Sequence, residues 1–156
     1  MKTNEKQCKY TIEDGKHINE VIVSWIITHG CQEKCGYCIS PCKTTEINLK
    51  KEHFIIQDKL IQGGVTKNRY IGGEPLLVPH ITELIKDAYK KGIDTRLSTN
   101  GRLLTETKFK ELKPYLSSVA LPFETMNNSL NKIIRGIDGH RDIIASRISM
   151  IKERGI

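Results

Sequence analysis

The sequence lacks most of the features that mark special environments. No apolar run approaches the length of a membrane span, and residues 1–9 are polar and charged, without the apolar core of a secretion signal. We therefore expect a cytoplasmic protein with no membrane partner. Proline, glycine and serine nowhere cluster into a linker, and no internal repeat or low-complexity stretch is present, which excludes an array or a disordered tether. Aromatic residues make up only 6% of the chain and form no stacking stripe, so the net charge of +7 argues only weakly for a nucleic-acid surface. Lys86, Lys90 and Lys91 fall at the end of an expected helix, where they complement its dipole, and most other basic residues are scattered over polar faces. A basic nucleic-acid binder stays open as an alternative; its mark would be binding that falls steeply as salt rises.

What is present suits one compact domain. The length of 156 residues and a hydrophobic content of 38% are enough to bury a core. Five cysteines occur, and Cys31, Cys35, Cys38 and Cys42 crowd into twelve residues. In a reducing compartment that placement favours metal binding or redox chemistry over disulfides. Cys8 stands apart and reads as a lone thiol.

The apolar pattern alternates between strand and helix. Val21 to Thr28 (VIVSWIIT) is β-branched, apolar and of strand length, too continuous for an exposed amphipathic strand, and reads as a buried parallel strand. A helix is expected from about Asn48 to Gln62, stopped by Gly63-Gly64. A short strand near Arg69 to Ile71 leads into Gly72-Gly73-Glu74-Pro75 and a helix from about Pro79 to Lys91, whose Ile81, Leu84, Ile85, Ala88 and Tyr89 follow helical spacing. Asp94 to Ser98 forms a third strand, followed by Thr99-Asn100-Gly101 and a helix capped by Thr105. Ser118 to Phe123 reads as a fourth strand, continuing through a break at Gly136 to Gly139 into a helix near Arg141 to Glu153. About four βα units of this kind imply an α/β fold with a parallel sheet, joined by right-handed crossovers, of the partial TIM-barrel type. Ligands of such sheets sit at the carboxyl ends of the strands, where the cysteine loop, GGEP and STNG should converge. We take residues 1–20 as an N-terminal extension and 21–156 as the core. The last residues resemble a helix end followed by the start of another strand, so the core is expected to be incomplete, or completed by a further domain or chain.

Cys31, Cys35 and Cys38 have the spacing CxxxCxxC, with Gly36 permitting a tight turn. Three thiolates can hold three irons of a cubane cluster and leave the fourth open to a small molecule. The competing reading is a non-catalytic zinc or iron-sulfur assembly module in which Cys42 joins the other three as a ligand. Structural zinc sites more often pair two CxxC knuckles across a longer stretch, which weighs against it.

The segment resembles the signature of the radical S-adenosylmethionine (SAM) superfamily, including the aromatic Tyr37 before the last cysteine. GGEP, STNG and the segment Lys132-Ile133-Ile134-Arg135-Gly136 are similar to further motifs of that superfamily, in the same order on the same elements. The resemblance implies a [4Fe-4S] cluster on Cys31, Cys35 and Cys38, with SAM chelating the open iron. It implies that Tyr37 lies near the adenine, that Gly72, Gly73 and Glu74 hold the amino group, that Ser98 and Asn100 bond the ribose or carboxylate, and that Arg135 reaches the carboxylate. It further implies reductive cleavage of SAM to methionine and a 5′-deoxyadenosyl radical that abstracts hydrogen from a substrate the sequence does not specify. The electron would come from a reductant such as flavodoxin or ferredoxin. One segment departs from the pattern: where relatives commonly show a Ser-Leu-Asp type sequence, this chain has Leu121-Pro122-Phe123-Glu124. Pro122 makes that strand end irregular and leaves Glu124 only a weak candidate for the polar contact there.

Overall fold

A computed structural model describes residues 20–39 and 49–154. Cys8, Cys42 and the final Gly155-Ile156 lie outside the described residues, as does nearly all of the expected N-terminal extension. The strands β1 (Val21–Thr28), β2 (Val65–Gly72), β3 (Asp94–Ser98) and β4 (Ser118–Ala120) form one parallel sheet in the order β1-β2-β3-β4. The helices are α1 (Lys50–Gln62), α2 (Ile81–Lys90), α3 (Glu106–Leu112), α4 (Asn128–Arg135) and α5 (His140–Arg154). Sequential parallel neighbours require right-handed crossovers that all return on the same side, and α1, α2 and α3 accordingly pack on one face. The product is part of a (β/α) barrel, with the helices outside.

Alternation along the strands sends Tyr70 and Leu97 into the helix-covered core, where they meet Ile81, Leu84, Ile85, Phe109 and Leu112, all fully buried. Each such side chain contributes roughly 1.5–3 kcal/mol by leaving water. A polar chain crosses this layer without leaving its groups unpaired. The Tyr70 hydroxyl donates to Gln57 Oε1 at 2.7 Å, and Gln57 Nε2 donates to Asp87 Oδ2 at 2.8 Å and to the Leu84 carbonyl at 3.2 Å. Nearby, His53 Nδ1 and His80 Nε2 lie 2.8 Å apart, one donating and the other accepting, with Trp25 edge-on to His53. The opposite face of the sheet is open: Ile22 is 56% and Ile26 53% exposed.

Four elements differ from the sequence reading. β1, expected as a buried strand, lies at the edge of the sheet with one row of side chains on the open face, so that Ile22 and Ile26 are exposed. β4 ends at Ala120, before Pro122, rather than at Phe123. β2 begins at Val65, four residues before the expected strand, because Thr66, Lys67, Asn68 and Arg69 disguise it: the chain alternates between the core and an open face that takes charge. The connection after β4 holds a separate helix, α4, which the sequence reading passed over. Its N-terminus is capped by Asn127, whose Oδ1 accepts the Ser129 and Leu130 N–H groups, and Gly136 ends it at φ +71°, a left-handed conformation that suits glycine. Among the described residues no helix is long and apolar enough to cross a membrane.

Candidate functional site

The carboxyl ends of the strands surround a cavity of about 380 Å³. Of the site candidates among the described residues, all line it except Glu74 and the weak candidate Glu124: Cys31, Cys35, Tyr37 and Cys38 from the loop after β1, Gly72 and Gly73 at and after the end of β2, Ser98 and Asn100 at and after the end of β3, and Arg135 at the end of α4. Thr99, Leu121, Pro122, His29 and Glu33, which the sequence reading did not single out as contacts, line it too.

The three cysteines are thiols without disulfides; Cys31 and Cys35 are half-buried and Cys38 is exposed. Two of the sulfurs face N–H donors. Cys31 Sγ is 3.4 Å from the Glu33 backbone N–H and 3.8 Å from Asn100 Nδ2, and Cys35 Sγ is 3.6 Å from Arg135 Nη1. Burial raises the Cys35 thiol above its ordinary pKa, and the Arg135 guanidinium opposes that rise.

Gly72 and Gly73 tie β2 to the exit of β1. The Gly73 N–H donates to the Thr28 carbonyl and the Glu74 N–H to the Gly30 carbonyl, both at 2.8 Å. A side chain at Gly72 would collide with the Thr28 backbone and one at Gly73 with the Gly30 backbone. The sequence alone suggested glycines that let a ligand approach. The space they leave is instead filled by the neighbouring strand exit, which brings two loops of the rim into backbone contact.

Glu74 lies behind the cavity wall, completely buried. Its carboxylate accepts from the Thr99 hydroxyl at 2.7 Å, the Asn100 N–H at 2.7 Å and the Leu76 N–H at 3.0 Å. Burial raises its pKa, against those three hydrogen bonds. The result is a brace: one carboxylate fixes the GGEP and STNG turns against each other.

Arg135 braces the other side. Its side chain is 5% exposed, and it donates through Nη1 to Glu33 Oε2 at 2.9 Å and through Nε to Glu124 Oε1 at 3.0 Å, with Nη2 also on Glu124. Glu124 Oε1 accepts the Tyr37 hydroxyl at 2.8 Å, and Glu124 Oε2 lies 3.4 Å from His140 Nε2. Burial disfavours the Glu124 carboxylate, but the Arg135 and Tyr37 hydrogen bonds outweigh this and hold it below the usual carboxylate range. The backbone follows the same path, the Gly36 N–H donating to the Ile134 carbonyl at 2.9 Å. Most of the guanidinium hydrogens thus meet Glu33, Glu124 and Cys35. Glu124, a weak candidate from sequence, is central to this network.

The model of the radical SAM superfamily matches residues 25–156. This chain belongs to that superfamily. An S-adenosylmethionine-dependent nucleotide dehydratase of Flammeovirga pacifica is 33% identical to the radical SAM chain over 119 residues, which cover 72% of this chain and 41% of that protein. A PqqA peptide cyclase of Granulibacter bethesdensis is 30% identical over 134 residues, covering 83% of this chain and 36% of that protein. The radical SAM chain therefore spans less than half the length of these relatives. The crystal structure of Streptococcus suis SuiB bound to S-adenosylmethionine shares the fold with a TM-score of 0.61 at 23% identity, over 81% of this chain and 29% of that one.

The donor set suits the superfamily's iron-sulfur cluster. Three thiols on one loop open onto a single cavity, with N–H groups directed at two of the sulfurs, as a negatively charged cluster prefers. Among the described residues no three His, Cys, Asp or Glu side chains converge on a point where a single metal ion would sit. The part the radical SAM site hides from sequence reasoning is its support. Glu33 stands inside the cysteine motif, but its partner Arg135 is 102 residues away and becomes visible only in the fold.

Proposed function

We propose that this chain is the cluster- and SAM-binding portion of a radical SAM enzyme, with Cys31, Cys35 and Cys38 as the iron ligands. The observation that carries the reading is the opening of all three thiols onto the same cavity as the ends of β2 and β3. When bound, the cluster and SAM supply an electron and a sulfonium whose carbon–sulfur bond breaks to methionine and a 5′-deoxyadenosyl radical, which takes a hydrogen atom from the substrate. The chain's own residues bind and orient. The Gly72-Gly73 turn and the Ser98 and Asn100 side chains offer polar contacts to the amino acid and ribose parts of SAM, and the Tyr37 ring gives an apolar wall for the adenine. Ile71, Ala120 and Leu121 line the floor and exclude water. Arg135 presents positive charge to the cavity from behind Cys35. Glu74 acts at one remove, by fixing Asn100.

A reductant of the flavodoxin or ferredoxin type delivers the electron, and the protein works in the cytoplasm. We take residues 21–156 as the radical SAM core, a stretch that corresponds to less than half the length of the named relatives. The named relatives act on nucleotides or on a peptide, and the rim described here is compatible with either class.

Anaerobic reconstitution followed by electron paramagnetic resonance, with and without SAM, tests the reading. We expect a reduced cluster signal that changes when SAM is added and is lost in Cys35→Ala. A protein that takes up zinc instead, with Cys42 required, would replace this reading by the assembly module.

A further inference from the structure

The open face of the sheet carries a pattern that the cavity does not use. Register aligns Ser24, Arg69, Arg96 and Ser118 across the four strands, on the side opposite the buried Tyr70 and Leu97. One row nearer the carboxyl ends, Ile26 is aligned with Ile71 and Ser98 with Ala120. Ile71, Ser98 and Ala120 line the cavity, so the row of arginines and serines lies directly beneath its floor, about 7 Å further along the strands.

The charges of this face are matched, with one exception. Lys67 pairs with Glu20 at 2.8 Å and Arg96 with Asp94 at 2.7 Å. Arg69 is half-buried, and among the described residues its guanidinium has neither an ion pair nor a hydrogen-bond partner. A guanidinium on the inner face of a barrel, with the Ser24 hydroxyl on the neighbouring strand, is a ready donor to the planar or tetrahedral fork of a carboxylate or phosphate.

We propose that Arg69, with Ser24 beside it on β1, binds an oxyanion of the substrate, a phosphate or a carboxylate carried several bonds away from the carbon that reacts. The inference rests on the radical SAM reading, because it is that chemistry which puts the reacting carbon in the cavity above. The row then sets the depth at which the substrate hangs: its anion is anchored below while its hydrogen is offered at the floor of the cavity. Arg96, tied to Asp94, steadies the local charge without taking the ligand itself.

Calorimetry on the full chain, reconstituted anaerobically with cluster and SAM, tests the assignment with tripolyphosphate in one arm and glutarate in the other. We expect one of the two probes to bind saturably and more weakly as salt rises, and the arm that responds identifies the source of the oxyanion. Arg69→Gln should weaken that binding by about ten-fold or more, and Arg69→Lys, which keeps the charge but not the fork, by less. Lys90→Gln, on the exposed last turn of α2, should leave it unchanged. Failure of both probes to bind, or equal affinity in wild type and Arg69→Gln, overturns the proposal. Resonance spectra of the same samples separate the two claims. A SAM-sensitive cluster signal without anion binding removes the oxyanion site alone, whereas absence of that signal removes the radical SAM reading and the oxyanion site with it.

Discussion

The two halves of the cavity rim are held by groups of opposite charge. On the β2–β3 side, the Glu74 carboxylate gathers hydrogen bonds from Thr99, Asn100 and Leu76, all neutral donors. On the cysteine side, the Arg135 guanidinium gathers two carboxylates, Glu33 and Glu124, from distant parts of the chain. The first brace joins adjacent turns through neutral donors and sets no charge against another. The second balances buried charges against one another, so its loss leaves like charges facing each other in a poorly solvated place.

The largest effect is therefore expected on the cysteine side. Arg135→Gln strands Glu33 and Glu124, and should cost about 3–5 kcal/mol in chemical denaturation and sharply reduce iron uptake. Pairing it with Glu33→Gln should recover part of that loss; a double variant no better than the single one would show that the two do not act as a couple. Gly73→Ala comes next, because its methyl group meets the Gly30 backbone. We expect about 1–3 kcal/mol of destabilisation, read in the same way. Glu74→Gln, on the neutral side, should cost roughly 1–3 kcal/mol, weaken SAM binding in equilibrium titrations and leave iron content near wild type. Equal iron loss in Glu74→Gln and Arg135→Gln would erase the distinction between the two braces.

The smallest effect concerns the helix layer. Burial holds the His80 imidazole below its ordinary pKa of 6.5, with Lys50 acting in the same direction and Glu83 opposing. The folded chain thus binds fewer protons here than the unfolded one. Stability from this group is complete above that pKa and falls as pH drops through 6.5 toward the lower folded value. Unfolding midpoints measured across this range should fall less in His80→Gln than in wild type.

These contrasts also show how far the sequence could be read. β1 and β3 were legible because continuous apolar runs or clean alternation leave few other structures open, and the motif loops were placed by the strands they follow. β2 was legible only at its end, since Lys67 and Arg69 face an open side that requires no apolar residue. α4 escaped because it is short, follows the irregular stretch after β4 and leaves Leu130 and Ile133 exposed, 48% and 77%. The candidate residues were read from their motifs, but the braces were not. Nothing in the sequence announces that the Glu74 carboxylate accepts from Thr99 and Asn100, and no local pattern links Glu33 to Arg135.

The hydrogen bond from Gly36 to Ile134, together with the Arg135 network, has a consequence for the order of events in maturation. The stretch that presents Cys35 is fastened to α4 by contacts of the protein itself, and these contacts reduce the ordering entropy that cluster binding has to offset. To the extent that these contacts form in folding, the rate of cluster loading should follow the exposure of the thiols, greatest at Cys38, more than the refolding of the chain.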